Sequence, residues 1–231
     1  MAYFKKISTL GKLLFPSLFW KMPSKQKILY LTFDDGPNPE ITPWVLTILN
    51  EFKAKATFFC VGENVANHPD IFQQILTEGH HIGNHTYNHI KGWKTSEKDY
   101  LENVYLTEEV IQKNVNKPDN PGEIRSSGLN PHSEPKTQPS KLFRPPYGKI
   151  LPGQIKKLQK LGYEIVMWDV ISGDFDAKLS AEDCYKNVIK NCSSGSIVVF
   201  HDSIKAAKKM KEVLPGVLKY YQEKGFEFKA V

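Results

Sequence analysis

Short apolar runs separated by amphipathic stretches recur along most of this 231-residue chain. Runs at 28–33, 56–61, 81–84, 142–144, 164–168, 196–200 and 226–229 are rich in β-branched and aromatic residues and too short for helices. Each predicts a buried strand. Between them, Thr42-Pro43 opens a helix running to about Phe52, and Ser96 with Asp99 and Ser180 with Asp183 have the spacing of capping boxes. Strands that alternate with helices predict a parallel sheet or barrel of seven βα units rather than two domains.

Two stretches break the rhythm. Residues 116–141, "NKPDNPGEIRSSGLNPHSEPKTQPSK", are rich in Pro, Ser, Asn and charge and read as a flexible loop inserted into the domain. Residues 1–27 read as an N-terminal arm that packs Leu13, Phe15, Leu18, Phe19 and Trp20 onto a domain spanning 28–231. The arm is interrupted by Lys12 and Pro16 and carries no small-residue cleavage site. A removable leader and a membrane span are therefore not expected, which leaves a cytoplasmic or cell-envelope location, with peripheral contact of the arm at a membrane surface as the lesser alternative.

Composition narrows the classes further. A 40% hydrophobic content over this length supports one sizeable core, and a monomer is expected. The net charge of +6 is carried by scattered lysines with no arginine-rich stripe, so no nucleic acid partner is expected. Cys60, Cys184 and Cys192 are odd in number and lack C-x-x-C spacing, which supports neither a disulfide framework nor a cysteine metal site.

The polar residues gather where the predicted strands end: Asp34 and Asp35 after the first, His85 after the third, Arg144 after the fourth, Asp169 and Asp174 after the fifth, His201 and Asp202 after the sixth. Barrel-like α/β enzymes build their sites at that end. In "GNHTYNHI", His85 and His89 have H-x-x-x-H spacing, which on a helical turn aims both imidazoles at one divalent ion. A carboxylate completes a set that leaves coordination positions open for water and substrate. The paired aspartates then have separate uses, since neighbouring side chains of an extended segment point apart: one can bind the ion while the other faces the attacking water as a base. Arg144 in "LFRPPYGK" offers a planar fork to a carboxylate. His201 in "SIVVFHDS" can protonate a leaving nitrogen, with Asp174 of "MWDVISGDF" keeping it charged.

Together and in order, T-F-D-D-G-P at 32–37, H-T-x-x-H at 85–89, R-P-P-Y-G at 144–148, the W-D-V to D-F stretch at 168–175 and F-H-D at 200–202 resemble the five motifs of the polysaccharide deacetylases, carbohydrate esterase family 4. The resemblance implies a distorted (β/α) barrel of about seven parallel strands and one divalent metal ion, zinc ahead of cobalt or nickel. It implies Asp34 as general base, Asp35, His85 and His89 as metal ligands, Arg144 holding Asp34, Asp174 tuning His201, His201 as general acid, and the Tyr147 backbone N–H as oxyanion donor. The acetyl group would meet Phe175 and Val199, where the family more often has Trp and Leu, with Pro145 beside them. The expected reaction is removal of N-acetyl groups from an amino-sugar polymer or oligomer. O-acetyl esters and small cyclic amides are the alternatives at the same site, and a non-catalytic sugar-binding domain is the alternative from another class. A glycosidase using Asp34 and Asp35 fails, because adjacent residues cannot flank a glycosidic bond at the required separation.

Overall fold

The computed structural model describes residues 13, 15–115 and 141–231. Its strands are β1 Ile28–Asp34, β2 Ala56–Cys60, β3 His81–Asn84, β4 Leu142–Phe143, β5 Glu164–Ile165, β6 Val170–Ile171, β7 Ile197–His201 and β8 Glu227–Phe228. They hydrogen-bond in the order β5-β4-β3-β2-β1-β7-β6, every pair parallel, with β8 joining the start of β1. The sheet is a curled half-barrel. The helices are α1 Thr42–Glu51, α2 Gly62–Asn67, α3 Pro69–Thr77, α4 Glu97–Val115, α5 Pro152–Lys160, α6 Ala181–Asn191 and α7 Ile204–Glu223. None of the described helices is long and apolar enough to cross a membrane.

All seven expected strands are found, several of them shortened. The eighth, β6, escapes sequence reading because it is two residues long and lies in the irregular "WDVISGD". Of the predicted 164–168 strand only Glu164–Ile165 joins β4 in a ladder; beyond it the Met167 N–H turns to the Phe19 carbonyl. Asp174 therefore follows β6, not the fifth strand. The predicted helix at Thr42-Pro43 forms, the Ser180–Asp183 capping box closes in both directions, and Ser96 caps by accepting from the Asp99 N–H at 3.1 Å while its hydroxyl donates to Asp99 Oδ2 at 2.7 Å.

Alternation along β1 and β7 sorts the interior into two sides. Leu31, Phe33, Phe58, Val198 and Phe200 pack with Val45, Val188 and Leu214 of the surrounding helices. The opposite side carries Phe59, Leu142, Val166 and Ile197, together with the polar Thr32 and Arg144, which hydrogen-bond each other at 2.7 Å. A buried polar group must be satisfied or it costs about 1–3 kcal/mol, so this inner side is where the fold invests its polar contacts.

Of the arm's apolar residues, Leu18 is buried, Trp20 packs beside Leu18, Leu13 is largely exposed, and Phe15 and Phe19 are each 37% exposed. The backbone of 19–22 is tied on both sides. Phe19 bridges to Val166, its N–H donating to Ile165 O at 2.9 Å, while Met22 N–H donates to Gly195 O at 2.9 Å. Cys60 and Cys184 are buried, Cys192 is half-buried, and none of the three is in a disulfide. The inserted stretch falls outside the described residues except for Lys141, whose carbonyl accepts from the Glu164 N–H.

Candidate active site

The carboxyl ends of β1, β3, β4, β6 and β7 deliver the expected residues to one place. Asp34 ends β1 and His201 ends β7, and the two are Cα partners in the parallel ladder. His85 follows β3 and Arg144 follows β4, joined by the Arg144 N–H donating to Asn84 O.

Backbone conformation separates the adjacent aspartates. They are not neighbours on an extended strand: Asp35 is left-handed, with φ 85°, so it turns out of β1 as Asp34 stays in register. The histidines differ from expectation too. Residues 85–91 form no helix, and His89 and Thr86 take φ 54° and 62°. Both imidazoles nevertheless converge, because this irregular loop is held at many points. The Thr86 N–H donates to Asn84 Oδ1, its carbonyl accepts from the Gly62 N–H, its hydroxyl accepts from the Ile90 N–H, and Asn103 accepts from the Tyr87 and Asn88 N–H groups. Of the five non-glycine residues with positive φ among the described residues, Asp35, Thr86, His89 and Tyr147 are in this site or border it. Such conformations cost about 1–3 kcal/mol each and persist where surroundings impose them, typically at functional sites.

Asp35, His85 and His89 each offer one ligand atom, all within 4.8 Å of one another. Asp35 Oδ1 is 3.2 Å from His89 Nε2 and 3.9 Å from His85 Nε2. The donor set fits a divalent ion in three ways. Two imidazole nitrogens and one carboxylate are a known catalytic-zinc combination. Burial pushes His85 down to about 4, outweighing the Asp34 and Asp35 charges, so the ring is neutral. His85 Nδ1 lies 2.8 Å from Arg144 O, so Nδ1–H donates there and Nε2 keeps its lone pair toward the cluster. His89 Nδ1 meets the Tyr147 hydroxyl at 3.1 Å. Burial raises the Asp35 carboxyl, yet the His89 hydrogen bond and the charges of His201, His85 and His89 together hold it below the usual carboxylate range.

Arg144 is fully buried, stacked 4.0 Å from the Phe59 ring centre. Nη1 donates to Asp34 Oδ1 and Thr32 Oγ1, both at 2.7 Å, Nε to Val166 O at 3.0 Å and Nη2 to Met167 O at 2.9 Å. Asp34 is thereby fixed in one orientation. On the β7 side, His201 Nδ1 meets Asp174 Oδ1 at 2.8 Å and the His201 N–H donates to Asp174 Oδ2 at 2.8 Å. Burial lowers the His201 pKa, but Asp174, by charge and hydrogen bond, with Asp35 and Asp34, raises it overall to about 9.

The other expected residues surround these groups. The Phe175 ring is edge-on to His201 at 4.9 Å, Val199 is fully buried two residues before His201 on the same side of β7, and Pro145 is buried next to Arg144. Asp169, grouped with the site by sequence position, instead accepts from the Ser196 hydroxyl at 2.6 Å.

Several supporting residues were given no role by sequence reasoning: Thr32 on Arg144, Asn64 donating to Asp35 O at 2.7 Å, and Asp202. Asp202 accepts from the Gly36 N–H at 3.0 Å and the Thr42 hydroxyl at 2.6 Å. Burial, with the nearby Asp35 charge, pushes its carboxyl up to about 7 in spite of these bonds. Its place beside His201 was the one available signal; Thr32 gives none, since threonine is an ordinary strand residue.

Residues 21–126 match the family model for polysaccharide deacetylase. The chain is 33% identical over 213 residues to a Bacillus cereus peptidoglycan-N-acetylglucosamine deacetylase, covering 92% of this chain and 90% of that one. It is 36% identical over 181 residues to a second B. cereus protein of the same name, covering 78% of this chain and 58% of that one. An Azorhizobium caulinodans chitooligosaccharide deacetylase is 30% identical over 182 residues, covering 79% and 77%. A solved peptidoglycan N-acetylglucosamine deacetylase, in complex with 4-naphthalen-1-yl-N-oxidanyl-benzamide, superposes with a TM-score of 0.81 at 29% identity, covering 97% of this chain and 95% of that one. With its candidate ligand trio, its two buried ion pairs and relatives matched over most of its length, the chain belongs to the polysaccharide deacetylase family of hydrolases.

Proposed function

We propose that the chain, with 28–231 as its catalytic unit, removes N-acetyl groups from an amino-sugar polymer or oligomer of the peptidoglycan or chitin kind, releasing acetate and a free amine. The observation that carries the reading is the pair of opposed titratable groups beside the ligand trio: Asp34 clamped by Arg144 and His201 charged by Asp174. A pure sugar binder needs neither. The names of the relatives support the substrate class.

Asp35, His85 and His89 would hold one divalent ion, zinc before cobalt or nickel. When bound, such an ion supplies Lewis-acid polarisation of the acetamide carbonyl and of the attacking water. The chain's own groups do the proton work. Asp34, held in place by the Arg144 guanidinium at 2.7 Å, takes the proton of the attacking water. The Tyr147 backbone N–H donates to the oxygen that gains charge as the carbonyl carbon becomes tetrahedral. His201, protonated at neutral pH, gives its Nε2 proton to the departing nitrogen as the C–N bond breaks, because Nδ1 is committed to Asp174. Phe175, Val199 and Pro145 are the candidates for confining the acetyl methyl group.

Acetate release from N-acetylglucosamine oligomers, peptidoglycan, acetylxylan and small cyclic amides, each with and without a chelator, tests the proposal. Chelator-sensitive release from the first two is expected. Release from acetylxylan alone would move the reaction to esters, and release that chelators leave untouched would remove the metal from the scheme.

A further inference from the structure

We propose that Asp202 is a positioning residue that aims Asp35 at the ligand cluster. The inference rests on Asp35 being a metal ligand.

Asp35 reaches His89 and His85 only because the backbone leaves β1 in a left-handed turn at Asp35. Aspartate tolerates that conformation but does not choose it, so something must hold the turn. Its backbone groups account for what does. The Asp34 carbonyl accepts from the Asp202 N–H at 3.1 Å, the Asp35 carbonyl from Asn64 Nδ2, the Gly36 carbonyl from the Val61 N–H at 2.9 Å, and the Gly36 N–H donates to Asp202 Oδ1. Asp202 thus grips the chain on both sides of Asp35, by its backbone before and its side chain after. Its second oxygen takes the hydroxyl of Thr42, the first residue of α1, which fixes the carboxylate against a rigid element.

Packing agrees with the hydrogen bonds. A Cβ added at Gly36 would lie 2.0 Å from Asp202 Oδ2 and 2.7 Å from Oδ1, so the carboxylate occupies the space any side chain at 36 would need. The hydrogen bonds of Asp202 go to Gly36, Thr42 and the Asp34 carbonyl, not to the candidate ligand atoms. It acts through the 34–36 turn, in the way that outer groups orient the ligands of metal sites, where their loss typically lowers affinity about 10–100-fold.

The test is Zn²⁺ affinity of the purified full chain, by competition with a chromogenic chelator, beside the melting temperature of the metal-free protein. Asp202→Ala is expected to weaken Zn²⁺ binding about 10–100-fold. Asp202→Asn should largely restore it, because an amide oxygen still accepts from Gly36 and the amide N–H₂ can donate to Thr42. Gly36→Ala, which crowds the carboxylate away, should weaken binding as Asp202→Ala does, and it decides the matter if Asp202→Ala does not fold. Val188→Ala, a cavity in the distant core under α6, should lower the melting temperature and leave Zn²⁺ affinity as it was. Unchanged affinity in Asp202→Ala or in Gly36→Ala overturns the proposal, as does an equal affinity loss in Val188→Ala, which would make the effect one of general stability. Retention of Zn²⁺ by Asp35→Asn would instead bring down the ligand assignment on which the proposal rests.

Discussion

Replacing Asp174 by Asn is expected to make deacetylation sensitive to pH where the parent is flat. Asp174 is fully buried and holds His201 through both oxygens. Burial alone would discharge the imidazole, and the adjacent carboxylate reverses this to give a pKa of about 9. Against ~6.5 for a free imidazole, that is a preference of about 3 kcal/mol for the charged form. Asparagine keeps the shape and loses the charge, so burial prevails and the pKa falls to ~6.5 or below. At pH 8 the protonated fraction then drops from about nine tenths to about one thirtieth, and the amide rate by about 30-fold or more. At pH 6 the same fraction only falls to about three quarters. The sign follows from the direction of the shift: a group raised in the folded protein acts as an acid below its folded pKa and is lost as pH rises through it. Initial rates of acetate release from an N-acetylglucosamine oligomer between pH 6 and 9.5 read this directly, the alkaline limb moving down by about two and a half pH units or more. A bound divalent ion near Asp35 lowers the limb in parent and variant alike, so the difference between them is the quantity to compare. Equal losses at pH 6 and pH 8 would refute the reasoning and reduce Asp174 to holding the ring's orientation.

Other substitutions separate the remaining roles. His201→Ala should depress amide cleavage far more than cleavage of a nitrophenyl acetate, whose phenolate leaves without a proton; equal losses would deny His201 the role of acid. Asp35→Asn should lose bound metal and activity together, whereas Asp34→Asn should keep the metal and lose turnover, and metal analysis of the two proteins would expose a reversed assignment. Arg144→Met removes four hydrogen bonds and strands a buried Asp34, so thermal or urea unfolding should show a loss of about 3–5 kcal/mol; a loss under about 1 kcal/mol would mean that Asp34 finds another partner.

Much of this architecture is legible in the residue order, for a physical reason: buried parallel strands must be continuous apolar runs, and "ILYLTF" or "SIVVF" leaves little choice. Capping boxes were equally readable, because they depend on side chains three residues apart. What failed was backbone handedness. "NHTYNH" has helical spacing, yet Thr86 and His89 sit at positive φ under constraints from Gly62, Asn84 and Asn103, partners that residue order does not disclose. Asp35, His85 and His89 come together all the same, since composition and order brought them to notice and the supposed helix only explained them. Roles of single polar residues inside strand-like runs stayed hidden: Thr32 and Asp202 look like a strand former and a rim carboxylate until Arg144 and Gly36 are seen against them.

The place of β1 between β2 and β7 bears on when activity can first exist. The proposed base lies on a strand completed by residue 34, and its proton-donating counterpart, its partner in the ladder, is 167 positions later. During synthesis the early βα units can pair among themselves, but one flank of β1 stays open until nearly the whole chain has left the ribosome. Such long-range pairing folds slowly, and it also means that a growing or prematurely ended chain has no His201 opposite Asp34. Hydrolysis therefore switches on as a consequence of the last strands docking, and shortened products are expected to be inert rather than partly active.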